Sequence, residues 1–260
     1  MWEVYALRYA ENTGRRRRNH FLPPDDAHDT PHPISYFVWA ARNASTGDVV
    51  VFDTGFPAHR APALGHTFHR SPAEALALIG IEAATVKDVV LTHLHYDHAG
   101  GYDAFPAARF HLQDAEMAYA TGRCMCHPHL RRPFIAEDVT GLVHHVYRDR
   151  VVFHDGDAEP WPGIRLLAIG GHSAGLMSAR IETASGPLVL ASDAAHFDET
   201  LKGNPFPIVL DMKKVLEGHR RLIAEAGGDA ARVVPGHDPS VLVRFPAAGP
   251  GLEGKVVRLA

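Results

Sequence analysis

Seven histidine and aspartate residues recur in short motifs that each follow an apolar run. The first motif, His-x-His-x-Asp-His, directly follows Val89-Val90-Leu91. The seven residues are His93, His95, Asp97, His98, His172 in Gly-Gly-His, Asp193 in Ala-Ser-Asp and His237 in Pro-Gly-His-Asp. Imidazole and carboxylate groups are ligands that suit zinc and similar divalent ions. The set is large enough for two ions that share one carboxylate, and such a pair can generate a hydroxide and hold the oxygen that it attacks.

The spacing inside the first motif has a mechanical consequence. Side chains alternate along a strand, so His93 and His95 fall on the same side and can hold one ion together. Asp97 and His98 are consecutive, and after a turn they can point toward a second ion. Gly100-Gly101 allows a sharp bend beside the ions. A polar loop rich in histidine would explain one or two of these residues, but the ordered series of motifs predicts a dinuclear metal site.

The rest of the chain has the pattern of many short strands and few helices. Strands are predicted at residues 2–8, 34–41, 49–52, 89–91, 109–112, 143–147, 151–154, 164–169, 177–182, 187–191 and 232–234, with a hairpin turn at 184–186. Helices are predicted at 71–78, 114–120 and 211–226. Each later ligand therefore follows a strand, where a sheet can hold it on a loop. Since no Ser-rich linker or fixed repeat interrupts the pattern, residues 1–260 are predicted to form one domain.

The order of these motifs resembles the metallo-β-lactamase superfamily of hydrolases. Within it, the chain resembles the N-acyl homoserine lactonases, small dinuclear-zinc enzymes that open lactone rings, over a stretch from Tyr5 to about Phe245. The resemblance implies an α/β fold, an αββα sandwich of two facing mixed β-sheets with helices outside. It also implies the ligand roles: His93, His95 and His172 for the first ion, Asp97, His98 and His237 for the second, and Asp193 as the bridge.

The reaction that the resemblance implies is hydrolysis of a ring ester, most directly that of N-acyl homoserine lactones, by a hydroxide held between two zinc ions. Asp97 would carry a proton to the departing ring oxygen. Asp53 in Asp-Thr-Gly matches a superfamily position behind the metals, and it either orients a ligand histidine or caps its own turn. The best-known homoserine lactonases carry a tyrosine three residues after the bridging aspartate. Here that position is His196, which either donates to the substrate carbonyl or packs against the pocket wall.

Composition narrows the function class further. The chain is 46% hydrophobic and 22% charged with a net charge of −4, which gives no reason to expect nucleic acid as a partner. No apolar run has the length of a membrane span, and the first residues lack the features of a signal peptide, so a cytoplasmic location without membrane contact is expected. Only residues 238–260 follow His237, too few for the helical domain of glyoxalase II enzymes.

Two alternatives to a homoserine lactonase stay open. One is a hydrolase of another small ester, lactone or cyclic amide. The other, from a different class, is a protein that binds metals without turnover. The seven-ligand set disfavours the second alternative, because a structural zinc site closes with four ligands and needs no shared carboxylate.

Three other features of the sequence also have more than one interpretation. The segment from Arg15 to Pro24, with its four arginines, forms either a patch for nucleic acid or a partner, or a solvated loop whose charge Asp25, Asp26 and Asp29 balance. The resemblance suggests a loop over the pocket or a contact in a homodimer, with Phe21 and Leu22 as apolar contacts. The loop residues Phe56, Phe68 and Phe206 either line an apolar substrate channel or are scattered apolar positions. Cys124 and Cys126, in Cys-Met-Cys-His-Pro-His, form either a third metal site or a loop near the pocket.

Overall fold

Short strands dominate the chain in its computed structural model, which describes residues 1–22 and 26–260. The strands are β1 (Trp2–Asn12), β2 (Ile34–Asn43), β3 (Val49–Phe52), β4 (Thr67–Phe68), β5 (Asp88–Val90), β6 (Arg109–Gln113), β7 (Val151–His154), β8 (Ala158–Trp161), β9 (Ile164–Ala168), β10 (Met177–Thr183), β11 (Gly186–Ser192), β12 (Val233–Pro235) and β13 (Val256–Arg258). The α-helices are α1 (Ala61–Leu64), α2 (Pro72–Ala77), α3 (Asp114–Thr121), α4 (Pro128–Arg131), α5 (Ala136–Val146), α6 (Met212–Glu225) and α7 (Val241–Arg244). Pro23, Pro24 and Asp25 lie outside the described residues.

The strands form two mixed sheets. The first has the order β13-β1-β2-β3-β5-β6-β7, with β4 paired to β1. Its β1, β2, β3 and β13 pair antiparallel, whereas β3, β5, β6 and β7 run parallel. The second sheet has the order β12-β11-β10-β9-β8 and is parallel only between β11 and β12. The parallel strands deliver their carboxyl-terminal loops to one edge, which is where ligands can meet.

The side chains of β1 show why the sheets pack face to face. Trp2 and Val4 lie in a core shared with the second sheet, while Tyr5 and Leu7 lie in the core on the opposite face. This is the period-two alternation of a strand that is buried on both sides. From the second sheet, Ile181 joins the core between the sheets.

Helices cover the outer faces of both sheets. Leu76 of α2 and Leu142 of α5 join the outer core of the first sheet. Leu222 of α6 packs with Val189 of β11 in a third core on the far side of the second sheet. The layers are therefore helix, sheet, sheet and helix, which confirms the predicted αββα sandwich.

Local signals in the sequence located several elements closely. Ser71 caps α2, its hydroxyl accepting from the Glu74 N–H, while the Glu74 carboxylate accepts from the Ser71 N–H. The β10–β11 hairpin closes with Thr183 opposite Gly186, which has a φ of 103°. Asp211 caps α6, which ends before Gly227 as predicted.

The prediction of a strand at residues 143–147 was wrong, because residues 143–146 are the last part of α5 and Tyr147 follows its end. Val139, Leu142 and His145 are buried at helical spacing, whereas Tyr147 is 86% exposed. The β-branched residues of the segment favour a strand locally, and packing of the amphipathic face overrides that preference. Strands β4, β8 and β13 and the one-turn helices α1, α4 and α7 were not predicted.

The longest helix, α6, has 14 residues. Across residues 1–22 and 26–260, no helix has both the length and the apolar character needed to cross a membrane.

Candidate metal centre

The predicted ligands lie just past the ends of strands from both sheets. His93 and His95 follow β5, and Asp193 follows β11 directly. His172 follows β9, and His237 follows β12. The two sheets meet at this point through a hydrogen bond of 2.8 Å between the hydroxyls of Thr92 and Ser192, the neighbours of His93 and Asp193.

The structure gathers the seven predicted ligands into two adjoining groups. The first contains His93, His95, His172 and Asp193, and the second contains Asp97, His98 and His237. Within each group the potential ligand atoms lie within 4.8 Å of one another, and every member is buried. This division is the one that the resemblance implied, although Asp193 and His237 also form a further group with His196.

The Asp193 carboxylate lies between the two groups and presents one oxygen to each. Its Oδ2 lies 3.3 Å from Nε2 of His172 and 3.7 Å from Nε2 of His93. Its Oδ1 lies 3.2 Å from Nε2 of His98 and 3.0 Å from Nε2 of His237. Nε2 of both His98 and His237 also lies 3.6 Å from Oδ2 of Asp97. This arrangement suits a carboxylate that bridges two cations.

Three of the histidines are oriented by acceptors behind them. Nδ1 of His172 lies 2.7 Å from the carbonyl oxygen of Ile208, and Nδ1 of His237 lies 2.9 Å from that of Ser35. Nδ1 of His98 lies 2.7 Å from Oδ2 of Asp53. Each contact places the ring proton on Nδ1. The lone pair of Nε2, which faces Asp193, is then available to bind a metal.

Asp53 has the orienting role of its two predicted alternatives. It is fully buried, and besides His98 it accepts hydrogen bonds from the N–H and the hydroxyl of Thr92 at 2.8 and 2.9 Å. These contacts cross from the end of β3 to the ligand motif after β5. Asp53 therefore fixes the position of the second ligand group relative to the first.

Glu116 on α3 is a positioning residue that the sequence did not suggest. One of its oxygens accepts the N–H of Leu94 at 3.0 Å, and the other accepts the N–H of Gly175 at 2.8 Å. Leu94 lies between His93 and His95, so this buried carboxylate ties the loops of the first group together. A Cβ at position 175 would approach the Glu116 backbone to 2.4 Å, so only glycine fits there.

The donors suit divalent cations. Nε2 of His93, Nε2 of His98 and Oδ1 of Asp193 are buried without a hydrogen-bond partner among the described residues. Buried polar atoms are normally paired, so such atoms converging on one point indicate a missing partner. Nitrogen and carboxylate oxygen are the donor types that zinc and related ions accept.

Electrostatics at the centre supports the same conclusion. Burial, together with neighbouring histidines, lowers the pKa of His93 and His95 well below the usual range and keeps them in the neutral, metal-binding form. Burial also opposes the charge on His98 and His237, but Asp193 and Asp97 raise the pKa of both. Without a metal, protons on these two imidazoles balance the carboxylates, so metal binding would release protons.

A cavity of about 450 Å³ leads to the centre. Its wall includes ligands of both groups, His95, Asp97, His172, Asp193 and His237. Further polar residues of the wall are Arg15, Arg18, Asn19, His20, Tyr36, His66, Tyr96, Arg132 and His196. Its apolar residues are Ile34, Leu64, Pro133, Phe206, Pro207 and Ile208. Of the three phenylalanines that were candidates for a channel, Phe206 lies in the wall described here, whereas Phe56 and Phe68 pack edge-on against Tyr9.

His196 lies in the cavity wall against the centre. Its ring stacks on Phe206 with centroids 3.6 Å apart and planes 9° from parallel. Its Nε2 lies 2.9 Å from Oδ2 of Asp193. The residue thus packs against the wall and contacts the central carboxylate at the same time.

The arginine-rich segment leans over the cavity. Arg15, Arg18 and His20 contribute to its wall. Phe21 is buried against Phe197, whereas Leu22 is 38% exposed, so only the first of the two predicted apolar contacts forms.

Cys124 and Cys126 lie in a 3-10 turn at Arg123–Cys126 as free thiols. In the part of the chain that the structure describes, the potential metal-binding groups do not include them.

Several known proteins with a similar sequence or structure carry lactonase names, and others carry hydrolase names. An N-acyl homoserine lactonase of a Bacillus species is 30% identical over 165 residues, which are 63% of this chain and 60% of the relative. The aligned region thus spans less than two thirds of that curated relative. A solved N-acyl homoserine lactone hydrolase with N-hexanoyl-L-homoserine at its catalytic metal centre has a TM-score of 0.72 at 22% identity, covering 91% of this chain and 93% of the other. The dizinc quorum-quenching lactonase AidC has a TM-score of 0.69 at 17% identity, covering 92% and 88%. At these identities the structures show the fold.

The family assignment rests on a longer match. Residues 32–237 match the metallo-beta-lactamase superfamily. The match begins just before β2 and ends at His237, so it includes all seven residues of the two groups. The chain therefore belongs to the metallo-beta-lactamase superfamily.

Proposed function

We propose that this chain is a metal-dependent hydrolase that opens the ring ester of lactones, with N-acyl homoserine lactones as the first substrates to test. It holds two divalent ions, with zinc as the expected metal. His93, His95 and His172 bind one ion, while Asp97, His98 and His237 bind the other. Asp193 bridges them, and residues 1–260 act as one domain.

The observation that carries the proposal is the division of the Asp193 carboxylate between the two histidine groups. Oδ1 faces His98 and His237, while Oδ2 faces His93 and His172. A site for one structural zinc needs four ligands and no shared carboxylate. Two cations with a cavity beside them suit hydrolysis, and this favours an enzyme over a binding protein.

The residues of the chain have distinct tasks in this reaction. A bound metal pair supplies an acidified water and positive charge for the carbonyl oxygen. Asp53 and the carbonyls of Ser35 and Ile208 keep the ligand imidazoles aimed at the ions. His196 closes one side of the cavity beside the reacting ester. Asp97, which lines the cavity, is assigned to carry a proton to the departing ring oxygen.

The named relatives support the substrate class. The Bacillus relative is an N-acyl homoserine lactonase, and the structure with bound product holds N-hexanoyl-L-homoserine, the ring-opened form of such a lactone. The dizinc character of AidC supports the proposed metal count.

The test measures hydrolysis of a panel by metal-replete protein. The panel contains N-acyl homoserine lactones of several chain lengths, simple γ-lactones, p-nitrophenyl esters and β-lactams. We expect ring opening of lactones that is lost after EDTA treatment and returns with zinc, and close to two ions per chain by elemental analysis. One ion per chain in active protein would contradict the dinuclear assignment. Turnover of esters or β-lactams alone would contradict the lactone assignment.

A further inference from the structure

We propose that the substrate of this enzyme carries a negatively charged group, a carboxylate or a phosphate, which Arg15 and Arg132 bind at the cavity wall while the ring ester lies at the metal centre. This inference deepens the proposed hydrolase function and rests on it. It assigns a second recognition site, for an anion, within the same cavity.

Among the described residues, Arg15 is the member of the arginine run without a side-chain acceptor. Arg17 is paired with Glu199 at 2.6 Å, and both Arg16 and Arg18 hydrogen-bond to Asp29. For Arg15 the described residues provide no carboxylate, although its side chain is half-buried in the cavity wall. An arginine that has lost part of its hydration without gaining a partner is suited to bind an anion.

Arg15 lines the cavity together with His20, Tyr36 and His66. Its positive charge also acts on these three residues. After burial itself, Arg15 is among the groups that lower the pKa of His20 and His66, and it lowers that of Tyr36, whose pKa burial raises.

Arg132 adds a second cation from a different part of the chain. It follows α4, next to Pro133, and lines the same cavity. No ion pair involves Arg132 within residues 1–22 and 26–260. The adjacent Arg131 differs, since it donates to the carbonyl of Met125 and does not line the cavity.

The carboxylates of the wall do not neutralise these two cations. Among residues 1–22 and 26–260, the acidic residues that line the cavity are Asp97 and Asp193, and both belong to the metal groups. With two divalent ions bound, those carboxylates are more than balanced, so the whole cavity becomes positive. A neutral acyl chain makes no use of this field, whereas an anionic substituent does.

The experiment uses two lactones that differ only in charge. N-succinyl homoserine lactone ends in a carboxylate, and N-succinamoyl homoserine lactone ends in a carboxamide of the same size. For metal-replete wild-type protein we expect kcat/KM to be about ten- to a hundredfold higher for the carboxylate, the usual range for one charge-assisted hydrogen bond. The preference should shrink as ionic strength rises.

Arginine substitutions test whether Arg15 and Arg132 cause the preference for the carboxylate substrate. Arg15→Gln with Arg132→Gln should bring the ratio of the two kcat/KM values close to one, chiefly by lowering the value for the carboxylate. Arg15→Lys should keep part of the ratio, which separates lost charge from a damaged fold. Arg131→Gln is the matched control and should leave the ratio unchanged.

A binding measurement separates this inference from the hydrolase proposal. The corresponding γ-lactams, with the same two side chains, are titrated calorimetrically into the metal-replete protein. If no lactone is turned over but the anionic lactam still binds more tightly through Arg15 and Arg132, the hydrolase proposal fails and the anion site stands. Equal kcat/KM and equal affinity for the charged and neutral compounds would overturn the anion site, whatever the catalytic result.

Discussion

The Asp53 carboxylate lies 2.7 Å from Nδ1 of His98 and reaches it from a left-handed backbone position with a φ of 66°. Few residues other than glycine adopt this conformation, and asparagine and aspartate are among those that do so most readily. The position therefore requires both a tolerant backbone and a side-chain acceptor. Together these requirements connect β3 to the second ligand group.

The substitution Asp53→Asn tests that connection. Asparagine keeps the size and tolerates the backbone, but it offers one acceptor oxygen where the carboxylate serves both Thr92 and His98. We expect about a ten- to hundredfold loss of metal affinity, concentrated in one of the two ions, with a corresponding fall in activity. Zinc titration with a chromophoric chelator measures it. Asp48→Asn, on an exposed residue just before β3, is the control, and equal affinities in the two variants would exclude an orienting role.

Substitution of Glu116 tests the first ligand group in the same way as Asp53→Asn tests the second. In Glu116→Ala the N–H groups of Leu94 and Gly175 lose their buried acceptor. Leaving two buried donors unpaired should lower the free energy of unfolding by about 2–5 kcal/mol. The two N–H groups belong to the loops that carry His95 and His172. In the variant, the ion of the first group should therefore lose more binding affinity than the ion of the second group.

Urea unfolding and metal titration of Glu116→Ala and Glu116→Gln check this prediction. The glutamine variant keeps one acceptor oxygen and should lie between wild type and alanine. Asp114→Asn, two residues earlier on the exposed side of α3, should behave as wild type. Loss of stability without selective loss of one ion would show that Glu116 is structural only.

Asp193→Ala should remove both ions together. Each carboxylate oxygen serves a different group, so its loss deprives both sites of a ligand. We expect metal content to fall from two ions to less than one per chain at micromolar free zinc, and hydrolysis to drop by at least a thousandfold, the range seen when a central catalytic group is lost. Elemental analysis after gel filtration and kinetics of lactone opening provide the measurements. Asp198→Ala, which breaks a partly exposed ion pair with Arg244, is the control. Retention of two ions by Asp193→Ala would place the bridge elsewhere.

The seven grouped residues were accessible from the sequence because short local motifs and strand ends encode them. His93 and His95 are two residues apart, and the Gly-His and Ser-Asp motifs stand where strands stop. Glu116 was not accessible in this way. Its role depends on contacts between helix α3 and two loops that lie 22 and 59 residues away in the chain. A local sequence pattern does not predict contacts of this kind.

The same limit explains the outcomes at residues 143–147 and at Phe56. Residues 143–147 contain valines that favour a strand, but the buried face of Val139, Leu142 and His145 exists only once α5 packs on the first sheet. The sequence left open whether Phe56 lines a channel, and tertiary packing places its ring edge-on against Tyr9 in the outer core. Tertiary packing decided both outcomes.

His66 makes stability depend on pH below neutrality. Its Nδ1 faces the Asn12 amide nitrogen at 3.1 Å, and its Nε2 faces the Tyr96 hydroxyl at 2.9 Å. The Asn12 oxygen accepts the Gly14 N–H, which leaves the amide nitrogen as donor and His66 as the neutral Nε2–H tautomer. Burial lowers the pKa of His66 to about 4 from the ordinary value of 6.5.

Proton uptake by the unfolded chain determines the direction in which stability changes with pH. Between pH 6.5 and about 4 the unfolded chain binds a proton at His66 and the folded chain does not, so stability falls as pH drops through this window. In His66→Gln this contribution is absent. The free energy of unfolding should therefore change less steeply with pH, and the difference in slope corresponds to at most one bound proton. Unfolding of both proteins in the same metal buffer from pH 7.5 to 4 measures the difference, because proton uptake by the metal ligands cancels. Identical slopes would show that His66 accepts a proton in the folded state.

The last prediction concerns His196, where homoserine lactonases of the best-known type carry tyrosine. The ring stacks on Phe206, and Nε2 lies 2.9 Å from Oδ2 of Asp193, so the side chain lies where the cavity meets the metal groups. His196→Ala should retain both ions and lower kcat by about ten- to a thousandfold, since one donor near a developing oxyanion contributes a few kcal/mol. His196→Tyr should recover part of that loss for homoserine lactones, because its hydroxyl can also donate a hydrogen bond.

Steady-state kinetics corrected for metal content and folded fraction test this role. If His196 only packs against the wall, His196→Ala changes the unfolding free energy and leaves kcat per folded, metal-replete molecule at the wild-type value. Recovery by tyrosine but not by phenylalanine, which restores the ring without a donor, identifies the hydrogen bond as the contribution. Equal recovery by both would assign the effect to packing against Phe206 and remove His196 from the residues that act on the substrate.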